Sequence, residues 1–476
     1  MNRIIVCAAT LALAAVMPLK ALAQEAAPAD TSTSVITLEQ ALQIALSENE
    51  TVKIADMEIE RTGYAKKGTY ASLLPQVDLT GSYMRTIKKQ VMYMDMDMSS
   101  FFGGSESTGS TGTTGTTEES SSSKGSGIEV GRDNTYSGGL TASMPLINFQ
   151  LWKSLKLSGQ EVDLAVEKAR SSRLDMVSQV KQAYFGVLFA KEALNVYKSV
   201  YDNAVENFQK TESRYNAQKA SELEYTRAKT NVAAAIPDVY NAEASVILAL
   251  WQLKAVMGVN LEKNIDIAGS LSDYAGTMLR DIADNSEVNL EYNTTMRQLS
   301  IQAEELANNV RLKQYAYLPT LAATFSYTAN AMTNDFKFSE YQWTPYSYVG
   351  LSLTIPIFSG GKRYNDVRQA RVQKTELELT MKDTERKLRI AIRQYLNTME
   401  ANMKSYNAAL ETVALAQKAY DISAKSYQVG KSTITDLNDA QLALTQAKLA
   451  ESQAVYNFLV AKTGLEQTIG FDFVEK

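Results

Sequence analysis

Two ladders of bulky side chains recur at seven-residue spacing, and the second lies 212 positions after the first. Val180, Val187, Leu194, Tyr201, Phe208 and Tyr215 form one; Ile392, Met399, Tyr406, Val413, Tyr420 and Tyr427 form the other. Each ladder runs into a turn, and the returning segment carries alanines in step: Ala228, Ala235, Ala242 and Ala249, then Ala440, Ala447, Ala454 and Ala461. A seven-residue repeat imposes left-handed supercoiling, and a bulky ladder facing alanines lets two antiparallel helices approach closely. The chain was built by duplicating one long coiled-coil unit.

Neither Gln150 to Tyr215 nor the matching stretch from Lys362 to Tyr427 contains a proline. At about 1.5 Å per residue each predicts a helix roughly 100 Å long, too long for a globular domain and longer than a bilayer is thick. Shorter helices return from each turn. One runs toward Gly258, with a kink expected at Pro237, and the other toward Gly464. The residues between the repeats, 259 to 285, look irregular.

The first residues resemble a secretory signal: Arg3 is the positive end, Ile4 to Met17 the short apolar core, and Ala21-Leu22-Ala23 the small-residue cleavage site before Gln24. Cys7, the only cysteine, lies inside it, so an exported chain has no disulfide and no thiolate metal site. Losing Arg3 and Lys20 takes the formal charge from −5 to −7, with no basic patch to suggest nucleic acid. The chain has no histidine, the commonest general base and metal ligand. No nucleophile–base pair, phosphate loop, metal-ligand cluster or dinucleotide fingerprint is present, so neither catalysis nor a cofactor is expected. Beyond the signal no apolar run reaches the roughly 18 residues of a spanning helix, so a membrane crossing would have to be a closed barrel.

Four segments switch from helical to alternating period, each beside a proline: Pro75, Pro145, Pro319 and Pro356. Val77, Leu79, Gly81 and Tyr83 alternate with Asp78, Thr80 and Ser82. Before Pro145 the apolar series is Tyr136, Leu140, Ala142 and Met144; beyond Pro319 it is Leu321, Ala323, Phe325 and Tyr327; before Pro356 it is Val349, Leu351, Leu353 and Ile355. Such strands have one oily and one hydroxyl-rich face. A soluble sandwich would bury the oily face, whereas an outer-membrane barrel would turn it to lipid. Tyr83, Tyr136, Tyr327, Trp343, Tyr346 and Tyr348, toward the outer strand ends, match the aromatic girdles of such barrels. Four strands cannot enclose a wide lumen, but an oligomer pooling them can. Between the first two strands, Ser105 to Gly127 is almost wholly Ser, Thr, Gly and Glu, a composition that cannot bury a core.

A signal, two copies of helix–strand–strand–helix–turn–helix, barrel-type strands and paired long helices together resemble the TolC family of outer-membrane efflux and export channels. The resemblance covers nearly all of the mature chain. Its sharpest local match is Ser426-Tyr427-Gln428-Val429-Gly430-Lys431-Ser432-Thr433-Ile434-Thr435-Asp436-Leu437-Asn438-Asp439-Ala440, which resembles the family's second hairpin tip. The first copy, Arg214-Tyr215-Asn216-Ala217-Gln218-Lys219-Ala220-Ser221-Glu222-Leu223-Glu224, matches more loosely, with Gln218 where glycine is usual. Gly430 can take the positive φ that ends a helix, and Ser432 or Thr433 can cap the next. Gln218 lacks that freedom, so a different turn is expected at the first tip.

The resemblance implies an α+β membrane protein: a long antiparallel coiled-coil α-helical barrel continuous with a transmembrane β-barrel, four strands per protomer, assembled as a trimer. It implies an outer-membrane location extending into the periplasm. The function implied is the passive exit duct of a tripartite efflux or type I secretion system. Its partners would be a homotrimer, a periplasmic adaptor protein, an inner-membrane pump and outer-membrane lipid. Family aspartates that constrict the periplasmic end match Asp436 and Asp439, three apart on one helix face. Threefold symmetry would stack them as two acidic rings, and such rings set cation selectivity. The same acids also suit a helix's first turn through its dipole. Ser432 stands where a basic residue often helps hold this constriction shut, with Lys219 and Lys431 as substitutes and Glu224 as an acid at the first tip. By the same resemblance the adaptor docks at the tips, through Tyr215, Gln218, Lys219, Tyr427, Gly430 and Lys431.

The implied bounds are a signal at 1–23, a first repeat at 24–258 with strands at 76–98 and 133–147 and a helical hairpin at 150–258, and a linker at 259–285. A second repeat follows at 286–470, with strands at 319–332 and 343–357 and a hairpin at 361–468, then a tail at 471–476. A porin-like or structural envelope protein, or a soluble periplasmic coiled-coil scaffold, are the alternatives.

Overall fold

The computed structural model describes residues 34–92, 128–276, 278 and 290–470. The expected signal, the whole Ser/Thr/Gly-rich segment and the tail lie outside them. In chain order the elements are β1 (Ser34–Ile36), α1 (Leu38–Glu48), α2 (Glu50–Ala71), β2 (Gln76–Arg85), β3 (Gln90–Met92), β4 (Ile128–Val130), β5 (Asn134–Ile147), α3 (Phe149–Asn216) and α4 (Glu222–Met257). They continue with β6 (Ile265–Ile267), α5 (Leu271–Ala275), α6 (Thr294–Tyr315), β7 (Thr320–Thr333), β8 (Thr344–Thr354), α7 (Lys362–Gln428) and α8 (Ile434–Ile469). The chain divides into two compact units, one of residues 51–174, 288–393 and 468–476, the other of residues 1–50, 175–287 and 394–467.

In the first of these units β2, β5, β7 and β8 form one antiparallel sheet in that order. Its register puts Val77, Ala142, Phe325 and Val349 in one row across the strands. The oily face is not covered: Leu79 is 82% exposed and Val349 78%, with Leu351, Leu353 and Val77 also open. A sandwich would have buried these residues at roughly 1.5–3 kcal/mol each. Of the first expected strand, 76–98, β2 ends at Arg85 and β3 pairs antiparallel with β4 in a separate sheet, while residues 93–98 lie outside the described residues. Pro145 lies inside β5 rather than at its end, beside a register irregularity between Pro145 and Ile147, where a missing donor is tolerated.

In the other unit the heptad ladders form the seams. Val180, Val187 and Met399 are fully buried, and Ala228, Ala235, Ala242, Ala447, Ala454 and Ala461 are buried too. Here the structure departs from the sequence reading in three places. The first helix does not run unbroken from Ile36. Ile36 belongs to β1, Thr37 starts α1 with a reciprocal capping box to Gln40, and Asn49 ends it in an extended conformation. The buried Asn49 amide donates to the Val256 carbonyl at 2.8 Å, which fixes that break against α4. The inter-repeat segment is not wholly irregular, because β6 pairs in parallel with β1 and α5 follows. Tyr184 pins that pair from α3, its hydroxyl donating to the Ala268 carbonyl at 2.5 Å, and burial raises its pKa to about 12.

α4 holds Pro237 within one helix and ends at Gly258 in the left-handed conformation. α8 passes through Gly464 and reaches Ile469. The third departure is that α4 is long and apolar enough, by length and composition, to cross a membrane. Alanines with exposed Tyr240, Ile247, Leu248 and Trp251 supply that apolarity, although Asp238 and Glu243 break any continuous run.

Candidate functional site at the two hairpin tips

The two tips have the same backbone. Gln218 has φ +59° and Gly430 φ +75°. At the first tip the Gln218 N–H donates to the Tyr215 carbonyl at 2.8 Å and the Lys219 N–H to the Arg214 carbonyl at 2.7 Å. At the second, the Gly430 N–H donates to Tyr427 at 3.1 Å and the Lys431 N–H to Ser426 at 2.8 Å. This nested pair closes the last carbonyls of α3 and α7 around a left-handed residue. The expectation of a different first turn is therefore corrected. The pairing of carbonyls needs a left-handed residue there, and glutamine takes that conformation at some cost.

The next helix starts the same way in both copies. Ser221 Oγ accepts from the Glu224 N–H at 3.2 Å while Glu224 takes the Ser221 N–H at 3.1 Å. Thr433 Oγ1 accepts from the Asp436 N–H at 3.2 Å while Asp436 takes the Thr433 N–H at 2.9 Å. Both are capping boxes. The Asp436 carboxylate further accepts from the Thr433 hydroxyl at 2.8 Å and the Ser432 hydroxyl at 3.0 Å. Those bonds, with the Thr433 N–H foremost, hold its pKa below the usual aspartate value.

Asp436 and Asp439 are both exposed, close together on the first turns of α8. Ser432, at the position considered for a basic fastener, supports Asp436 instead. Glu224 is engaged within its own hairpin. Lys219 and Lys431 are exposed, and their turn contacts are backbone donations.

Tyr427 joins the hairpins. It is 3% exposed, in a core with Ala228, Ile434 and Leu437 against which Phe208, Tyr420 and Ala424 pack. Its hydroxyl lies 2.8 Å from the hydroxyl of the fully buried Thr211 on α3. Arg214 Nη1 donates to the Tyr427 carbonyl at 3.0 Å, with the guanidinium 5.3 Å from the ring centre. The duplicate residue, Tyr215, is 37% exposed and stacks on Tyr225 of its own hairpin at 4.9 Å. Arg227 Nη1 reaches Thr435 Oγ1 at 3.4 Å, and the Asn231 amide donates to Asn438 at 2.8 Å. Beside this core is a cavity of about 200 Å³ lined by Asn203, Asn207, Asn231, Asn438, Gln441 and Thr445, among others. Sequence reasoning missed Thr211 and Arg214. The available signal was an arginine in the last turn of a helix, where a cation meets orphan carbonyls.

Comparisons with known proteins place these features in a group. The family described as outer membrane efflux protein matches residues 41–259 and 286–471. Outer membrane protein TolC of Escherichia coli (strain K12) is 22% identical over 351 residues, covering 71% of this chain and 70% of that protein. Alkaline protease secretion protein AprF of Pseudomonas aeruginosa is 25% identical over 341 residues, covering 69% and 68%. The solved structure of outer membrane protein VceC from Vibrio cholerae superposes with a TM-score of 0.66 at 15% identity, covering 91% of this chain and 96% of that one.

Proposed function

The chain belongs to the outer membrane efflux protein family, and from that premise we propose that it is the exit duct of a tripartite export system, a passive conduit through periplasm and outer membrane. The observation that carries this reading is the uncovered oily face of the four-stranded sheet, which lipid would solvate. β2 and β8 are the edges of that sheet. Three copies, each pairing its β8 with a neighbour's β2, would leave no free edge and enclose a lumen. The long helices α3 and α7 would continue the duct below it.

In this reading an N-terminal signal exports the chain and is cleaved. The tips formed by α3–α4 and α7–α8 receive a periplasmic adaptor that couples the duct to an inner-membrane pump. Asp436 and Asp439 of three copies line the narrow end, where carboxylate rings favour cations. The energy and the choice of cargo come from the pump, and the duct performs no chemistry.

Single-channel conductance in a planar bilayer tests this. The expected result is a small, cation-selective conductance that rises and loses selectivity in an Asp436→Asn/Asp439→Asn variant. Asparagine keeps an oxygen for the Thr433 N–H, so the helix start survives while the charge goes. Silence from folded, trimeric protein would overturn the duct; an unchanged conductance in the variant would move the constriction elsewhere.

A further inference from the structure

We propose that the helical end of the four-stranded sheet carries a collar that binds anionic phospholipids, lysines and arginines holding the phosphates while the acyl chains lie on the oily face. In the duct reading, on which this rests, that end faces the periplasmic leaflet. α2 ends before β2 and α6 before β7, while α3 follows β5 and α7 follows β8, so the antiparallel register brings all four helices to one end of the sheet. The ten residues of each helix nearest the sheet span about 15 Å. Within them α2 carries Lys66 and Lys67, α3 Lys153 and Lys156, and α6 Arg311 and Lys313. α7 carries Lys362, Arg363, Arg368 and Arg371, and the one acid in the four stretches is Asp366. The next ten residues of the same helices reverse the balance, with five basic residues and ten acids. No basic run shows in the sequence, because the cations come from four separate stretches.

Helix dipoles do not account for the collar. They favour cations where α2 and α6 end but acids where α3 and α7 begin, and six of the ten cations stand on α3 and α7. Nor do neighbours cancel the charge: of the ten, among the described residues, only Lys362 has a carboxylate partner, Asp366 at 3.1 Å. Burial, then Lys156 and Arg311, holds the pKa of Lys153 below the usual lysine value, so cations of α3 and α6 already repel one another. An anionic headgroup supplies the missing counter-charge. The collar also adjoins apolar surface. Arg363 Nη1 donates to the Pro356 carbonyl at 2.9 Å, with its guanidinium 5.6 Å from the ring centre of Tyr317. Ile357 and Phe358, which follow Pro356, are 92% and 87% exposed. Arg368 lies over Tyr364 and Lys67 over Tyr64, and all three tyrosines are open. Cationic side chains whose stems cover rings while their heads reach outward suit the boundary between acyl chains and headgroups.

The test inserts the full-length protein into vesicles of equal phosphatidylglycerol and phosphatidylcholine, extracts it with mild detergent and counts the retained lipids by mass spectrometry. Wild type should retain phosphatidylglycerol in excess, and extraction in about 0.5 M salt should erase most of that preference. Lys156→Gln/Arg371→Gln should lower the preference by at least about fivefold, the contribution of one cation near an anionic surface. Lys156→Arg/Arg371→Lys, which keeps both charges, should match wild type. Lys387→Gln/Lys404→Gln, farther along α7 where each lysine is paired within its own helix, should leave the preference unchanged. Wild type that inserts and retains both lipids equally overturns the collar, as does an unchanged preference in Lys156→Gln/Arg371→Gln. A shift of ion selectivity in that variant without loss of lipid also overturns it, by turning the cations toward the lumen. Folded wild type that never enters the vesicles sinks the duct reading instead.

Discussion

Lys181 and Glu466 form an ion pair at 2.6 Å, their side chains 7% and 17% exposed, within the packed seam of α3 and α8. Lys462 stands a further 4.0 Å from the same carboxylate. Removing Glu466 therefore leaves two lysines facing each other, whereas removing Lys181 leaves Glu466 with Lys462. Breaking a buried pair from one side costs about 3–5 kcal/mol, and replacing both partners with apolar groups is often close to neutral. Glu466→Leu should lower the thermal midpoint more than Lys181→Met, and the double variant should recover much of the loss. Circular dichroism melts of the four proteins check this; equal losses from both single variants would show that Lys462 plays no part.

Gln218 holds the conformation that Gly430 holds without strain. A left-handed residue with a Cβ costs roughly 1–2 kcal/mol, and glycine returns some of that through a more flexible unfolded chain. Gln218→Gly should stabilise the first tip by roughly 0.5–1 kcal/mol. Gly430→Ala should destabilise the second by a similar amount. Local exchange free energies at residues 216–222 and 428–434 measure both, and a destabilised Gln218→Gly would mean that the side chain makes a contact worth more than the strain.

What the sequence revealed depended on period. The 212-residue shift, the heptad ladders, the long helices and the four strands were legible because each is carried by many residues repeating one spacing. Asn49 was not, because a single buried amide reaching Val256 ends α1 from 207 positions away. β1 and β6 are too short for any period to show. At the tips, Gly430 announced its turn by residue type, while Gln218 entered the same turn because the hydrogen bonds demanded it. Arg214 and Thr211 gained their roles only when two distant helices met. The capping boxes were half legible: Ser432 and Thr433 were both candidates, and Thr433 takes the role with Asp436.

Asp436 makes the second tip acid-sensitive. Its carboxyl is held below the usual value by the Thr433 N–H, then the Thr433 and Ser432 hydroxyls. A depressed folded-state pKa stabilises the tip above the unfolded value, about 3.9, and that contribution is lost as pH falls through the folded pKa. Exchange at residues 433–438 should therefore accelerate below about pH 4 in the wild type. It should do so less steeply in Asp436→Asn, which has no carboxyl to protonate. The measurement is exchange at fixed temperature from pH 6 to pH 2.5, corrected for the intrinsic rate. Parallel profiles for the two proteins would assign the acid sensitivity to another group.

Gly464 lies in mid-helix because Tyr395 leaves no room for more. A Cβ built there would sit 2.6 and 2.7 Å from two ring carbons of Tyr395, closer than real contacts allow. Gly464→Ala gains helix propensity of about 1 kcal/mol but must displace a ring in a packed seam, which costs about 1–3 kcal/mol. The net effect should be a lower thermal midpoint. In a Tyr395→Ala background the same Gly464→Ala change should raise the midpoint, because only the propensity remains. A double-mutant cycle on thermal unfolding reads this as a change of sign. If Gly464→Ala destabilises equally in both backgrounds, the ring is not what excludes the methyl group.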